Sequence, residues 1–202
     1  MLPTCAGCVG LVANLIHAGV GNKVPAKFAG LTEKRVAVVC VSRSSMFGPS
    51  EDAHGIAQRV QQRLQQNVPK IQLVDQREIT DWIDHEGWDE VDYREVGGGV
   101  DAQMVIGIDI LSFSLHEGNT MYRGRSDMEL TVFDMDQGGK VVWNEAPPPL
   151  VFPVISGPHI TETTEAEFRR CFLDAISDHA ARSFYAYERS EDFGRDPTFV
   201  NF

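Results

Sequence analysis

The alternation of apolar and polar positions divides this chain into a short apolar leader and a longer run of strands and helices. Residues 35–42 (RVAVVCVS) are apolar on both alternating faces, the pattern of a strand covered on both sides and so central in an α/β sheet. The period then changes. Ala53, Ile56, Ala57, Val60 and Leu64 recur at helical spacing, and Ser50 stands where an N-cap belongs. Glu51 and Asp52 follow in the first turn, where the helix dipole favours acids, and Pro69 closes the segment. Ile71-Gln72-Leu73-Val74 reads as a second, shorter strand running into a helix over about 76–85, with Ile79, Trp82 and Ile83 on its core side. A strand-helix-strand-helix order calls for a right-handed crossover and a parallel strand pair.

Residues 86–103 are polar and glycine-rich, a short helix near 90–96 followed by a turn. Period two then returns in Met104–His116 and Thr120–Asp136, two long strands joined by the hairpin signal Glu117-Gly118-Asn119. Asp136-Gln137-Gly138-Gly139 is another turn, after which Lys140-Val141-Val142-Trp143 opens a third antiparallel strand. Pro147-Pro148-Pro149 offers no amide hydrogens to a ladder and marks an edge or an exit from the sheet, with Leu150–Ile155 extended beyond it. Thr164 and Glu167 are spaced as a capping box for a last helix over 165–187, on which Phe168, Phe172, Ala175, Ile176, His179 and Ser183 share a face. The expected fold is therefore α/β, a mixed sheet of about five strands covered by three helices in the order β-α-β-α-β-β-β-α. Around it we expect an apolar leader at 1–22, a linker at 23–34, the α/β domain at 35–188 and a charged C-terminal tail at 189–202.

Composition narrows the partners. The 202 residues are 43% hydrophobic and 23% charged, ordinary for a globular domain, and no apolar run reaches the roughly 20 residues that span a bilayer. A formal charge of -11 argues against nucleic acid, since phosphate affinity comes from Lys and Arg displacing counterions. Tyr122-Arg123-Gly124-Arg125 is a local basic cluster, but Asp127 and Glu129 beside it point to cross-strand ion pairs.

Candidate chemistry is sparse. Of the four cysteines, Cys40 and Cys171 fall within a strand and a helix and read as small buried hydrophobes. Cys5 and Cys8 lie in MLPTCAGCVG, where Ala6-Gly7 ahead of Cys8 is the small-residue pair that precedes the lipid-acceptor cysteine of bacterial lipoproteins. The basic and apolar signal that such a site requires would lie upstream of Met1. As a C-x-x-C redox site the same residues lack the preceding strand, and as a zinc site they have only His17 nearby. The remaining histidines (His54, His85, His116, His159, His179) show no ligand spacing, and Gly97-Gly98-Gly99 precedes a strand, the wrong context for a dinucleotide loop. No catalytic residue, metal or cofactor is expected. A ligand-binding alternative rests on the loop from Ser42 through Ser44 and Ser45 to Ser50, which leaves the carboxyl end of the first strand for a helix N-terminus. A second, weaker candidate is the hairpin face bearing Asp109, Glu117, Arg123, Arg125, Asp127 and Glu129, whose alternating charges read first as a solvated side.

Three of these segments carry a resemblance. Val36–Val41, Val100–Ile110 and Leu130–Trp143 resemble the opening strand, the strand after the second helix and the following hairpin of the TolB N-terminal domain and of CsgG-type envelope lipoproteins. The likeness covers roughly residues 33–185 and lies mostly in apolar core positions and one turn. It implies an α/β domain with a noncatalytic role in envelope transport or assembly, and in some members an N-terminal lipid. No β-propeller and no barrel-forming strand pair accompanies it, so neither propeller function nor pore formation is implied. The combined expectation is a lipoprotein of the bacterial envelope, anchored to a membrane through Cys8, facing the periplasm and meeting other envelope proteins, with no nucleic-acid partner. The alternative is a soluble ligand-binding protein or enzyme using Ser42, Ser44, Ser45 and Ser50.

Overall fold

The double-sided apolar segment forms β2 (Arg35–Ser42), and the helical repeat after it forms α1 (Glu51–Asn67). The computed structural model describes residues 23–43, 51–86 and 91–188. Chain order continues with β3 (Gln72–Leu73), α2 (Gln76–Glu86), α3 (Tyr93–Gly99), β4 (Met104–Glu117), β5 (Met121–Asp134), β6 (Lys140–Glu145), β7 (Leu150–Phe152) and α4 (Glu165–Ala181). The main sheet has the order β3-β2-β4-β5-β6, with β7 also paired to β5. β2 runs parallel to both β3 and β4, while the pairs from β4 to β7 are antiparallel. Six strands and four described helices replace the expected five and three, because the short β7 returns to β5 after the prolines and the glycine-rich stretch is helical.

Alternation sorts the sheet's side chains into two cores. Val36, Val38 and Cys40 of β2 join Ile106, Ile108, Leu130 and Val132 on one face, beneath Ile56, Val60 and Leu64 of α1 and Phe168, Phe172 and Ile176 of α4. Ala37 and Val39 join Val105 and Phe133 on the other, beneath Ile79 of α2 and Val96 of α3. At about 25 cal/mol per Å² of apolar surface removed from water, these two layers are the main favourable term in folding.

Three sequence expectations change in detail. Gly97, Gly98 and Gly99 belong to α3 and not to a turn. A Cβ on Gly99 would lie 2.1 Å from the Trp82 ring, so the glycine is what lets α2 and α3 pack this closely. The last helix ends at Ala181 instead of 187. The Ser183 carbonyl instead accepts from the amides of Lys27 and Phe28, both at 2.9 Å, which draws the chain away from the helix axis. Residues 23–34, read as a linker, supply β1 (Lys23–Val24), which pairs antiparallel with β8 (Tyr187–Glu188), and bury Leu31 in the larger core. The capping box forms as the spacing predicts: Thr164 accepts from the Glu167 amide while the Glu167 carboxylate accepts from the Thr164 amide.

Candidate functional site

The carboxyl end of the parallel pair is where open α/β sheets often bind ligands. Ser42, the last residue of β2, stands opposite Ile110, and the Arg43 amide donates to the Ile110 carbonyl at 3.0 Å. Ser44, Ser45 and Ser50 lie outside the described residues, as does Cys8. Of the predicted loop set, the described residues include Ser42.

Beside it the structure assembles a group that spacing alone does not reveal. Asp109 of β4 faces the smaller-core side of the sheet, as its pairing with Val41 and Glu129 requires. Its carboxylate is 3.6 Å from Nε of the exposed Arg43. Tyr93, at the start of α3, lays its ring over Gly107, where a Cβ would stand 3.0 Å from the ring carbons. The glycine in β4 is what lets this ring reach Asp109. The Tyr93 hydroxyl is buried and makes no hydrogen bond of normal geometry, and the Asp109 carboxylate is the charge that acts on it.

Burial sets the acidity of the group. It pushes the Asp109 carboxyl above the usual carboxylate range, against the opposing pull of Arg43 and Tyr93, and the Glu129 charge adds to the rise. Burial also pushes the phenol of Tyr93 and the thiol of Cys40 upward, each reinforced by the charge on Asp109. A thiol held protonated in the core is a poor nucleophile, because the thiolate is the reactive form. Cys40 is therefore a packing residue, as its sequence context suggests; Cys171 is a free thiol only partly buried.

The charged hairpin face is real, but its partners differ from those expected. Arg123 and Arg125 both bind Glu117, at 3.0 and 2.7 Å, across the hairpin. Asp127 instead accepts from the Ser112 hydroxyl at 2.5 Å, and Glu129 accepts from Asn144 at 2.8 Å. The carboxylates are therefore engaged within the sheet, an arrangement that orders the face more readily than it supplies an acid-base pair.

A concavity of about 260 Å³ lies where β1, the proline run and the end of α4 meet. Val24, Pro25 and Lys27 line one side, Pro147 another, and His179, Arg182 and Tyr187 the third. His179 Nε2 bonds to the Pro148 carbonyl at 3.0 Å, Arg182 pairs with Asp178 at 2.7 Å and stacks on Tyr187, and Lys27 pairs with Glu145. Burial holds His179 below the ordinary histidine range despite the favourable carbonyl contact. Its cations are matched by acids, so the hollow is a clasp between the triple proline, β1 and the end of α4. The sequence signals for it, the proline run and a histidine on the core face of a helix, give no indication that they converge.

No protein-family model and no curated protein matches the chain. Solved bacterial structures resemble it in shape. They include a single-substitution variant of the PelC dodecamer from Paraburkholderia phytofirmans, 9% identical over 80% of this chain and 96% of that one, with a TM-score of 0.47. Lipoprotein GNA1162 from Neisseria meningitidis is 10% identical over 74% of this chain and 99% of that one, with a TM-score of 0.45. The C-terminal domain of LpoB from Salmonella enterica is 14% identical over 70% of this chain and 93% of that one, with a TM-score of 0.40.

Proposed function

We propose that the chain is a noncatalytic module of a bacterial cell envelope, held at a membrane by lipid on Cys8, facing the periplasm and binding or organising other envelope proteins in transport or assembly. The observation that carries this reading is Ala6-Gly7-Cys8, a small-residue pair directly before a cysteine, some way ahead of the folded domain. The strand motifs at 36–41, 100–110 and 130–143, with their likeness to TolB and CsgG-type domains, support it independently. The engaged state of the acidic groups supports a binding role over a catalytic one: Asp109 has Arg43 and Tyr93 beside it, and Glu117 has two arginines. A single acyl chain gives only marginal membrane binding, so stable anchoring requires more than one on the same cysteine. Expression in a bacterial host with intact-mass measurement and membrane fractionation tests this. The expected result is a lipid mass on Cys8 and a membrane-bound protein that Cys8→Ala releases; an unmodified Cys8 in a soluble protein overturns it.

The alternative, a soluble ligand-binding protein or enzyme, is favoured by one observation, the placement of Ser42 and Arg43 beside half-buried Asp109 at the carboxyl end of β2. A thermal-shift screen should then find a ligand whose effect disappears in the S44A/S45A variant, and a shift that survives both substitutions dismisses the loop.

A further inference from the structure

We propose that the outer edge of β6 is a self-association surface, on which a second copy of this chain adds its own β6 antiparallel about a two-fold axis. β6 is the last strand on its side of the sheet, and among the described residues nothing pairs with its outer edge. Val141 and Val142 are both exposed there, an unusual choice for an edge that must resist pairing. Pro147-Pro148-Pro149 lack amide hydrogens and limit the ladder to about the length of β6.

The sequence of the strand selects the occupant. In Lys140-Val141-Val142-Trp143-Asn144-Glu145, an antiparallel two-fold centred between Val142 and Trp143 sets Lys140 against Glu145 of the second copy, and Glu145 against its Lys140. Such opposite charges directly across a pair stabilise it, and the symmetry supplies the contact twice. Lys140 has no ion-pair partner among the described residues, and Lys27 engages only Oε1 of Glu145.

The irregularity in the β5–β6 ladder makes this register possible. Trp143 stands opposite Val132 and Val141 opposite Phe133, so Val142 is an extra residue that resets the alternation. In a regular strand, residues five apart point to opposite faces. Here Lys140 opposes Asp134 and Glu145 opposes Leu130, both on the larger-core side, while Val141 and Asn144 share the other side. Lys140 and Glu145 of two copies therefore meet on one face of a continuous sheet, and Val141 meets Asn144 on the other. A ribbon this short buries less than a standard interface, so the association is a weak, reversible one. It does not depend on whether Cys8 carries lipid.

Sedimentation velocity of the 202-residue chain from micromolar to millimolar concentration tests it. The expected behaviour is a monomer–dimer equilibrium weakened about tenfold or more by K140E, which sets Glu against Glu twice, and likewise by E145K, which sets Lys against Lys. An equimolar mixture of the two variants should regain dimers, since both contacts then join opposite charges. A chain that stays monomeric at millimolar concentration, variants that dimerise as tightly as the parent, or a mixture that gains nothing over either variant overturns the proposal.

Discussion

Individual residues here are constrained chiefly by close approach and by burial of charge. Gly99 fits under Trp82 with no room for a methyl group. Gly99→Ala should lower stability by about 1–3 kcal/mol, the usual cost of overpacking, and the penalty should shrink in a W82A background; chemical denaturation of the four species reads both. Asp109 is the opposite case, a group the native state prefers protonated. Because its native pKa is raised, the folded protein binds the proton more tightly than the unfolded chain. Its stability contribution is therefore greatest below the unfolded value near 3.8 and declines as pH rises through the native value. Asp109→Asn keeps a side chain of the same size beside Tyr93 and removes the charge. It should raise the melting temperature at neutral pH and give little or no gain near pH 3; a larger gain in acid would contradict this account. Glycine spacing alone does not reveal the role of Gly107, since the need for it comes from Tyr93, a residue brought over it only by the α3–β4 packing.

At the level of elements, legibility follows the strength of local signals. β2, α1, the β4–β5 hairpin and the capped start of α4 each carry a period, a turn or a cap within a few residues, and each occurs close to where those signals place it. What failed was set from outside the segment. The helical state of the glycine run goes with the close packing of Gly97 on Val105 and Met135 and of Gly99 on Trp82, the early end of α4 with Lys27 and Phe28 taking the Ser183 carbonyl, and the return of β7 with a stretch of β5 beyond β6. The candidate site divides the same way. Ser42 at the carboxyl end of β2 is readable from the strand pattern, whereas joining Asp109, Tyr93 and Arg43 requires the pairing of β2 with β4 and the docking of α3. The capping box gives a test at this scale. Thr164→Ala removes the acceptor for the Glu167 amide and should cost about 1 kcal/mol, measured by urea denaturation with an unchanged slope; Thr164→Ser should retain most of that stability.

Over the whole molecule, the two cores share one sheet, but their edges are fastened differently. The smaller core is bounded by short helices and the Asp109 group. The larger one is closed by a clasp in which β1, the triple proline and β8 converge on His179. That clasp makes global stability depend on pH in a definite direction. His179 is held below its ordinary value of 6.5 by burial, and the nearby charges of Lys27, Asp178 and Arg182 act in both directions around the Pro148 contact. The unfolded chain therefore takes up the proton before the folded one, so His179 contributes stability above pH 6.5 that is lost as pH falls below it. Asp109 tilts the curve the other way, but in a window that opens near pH 3.8. Between pH 7 and 5.5 the histidine should therefore supply a falling component on the acid side of the stability profile. His179→Gln retains an amide donor for the Pro148 carbonyl and cannot titrate, so its melting temperature should fall less over this interval than that of the parent chain. Thermal denaturation in matched ionic strength, with His159→Gln as a control at a histidine outside the clasp, isolates the effect. Equal slopes for H179Q and the parent would mean that the clasp opens in the folded protein before the proton binds.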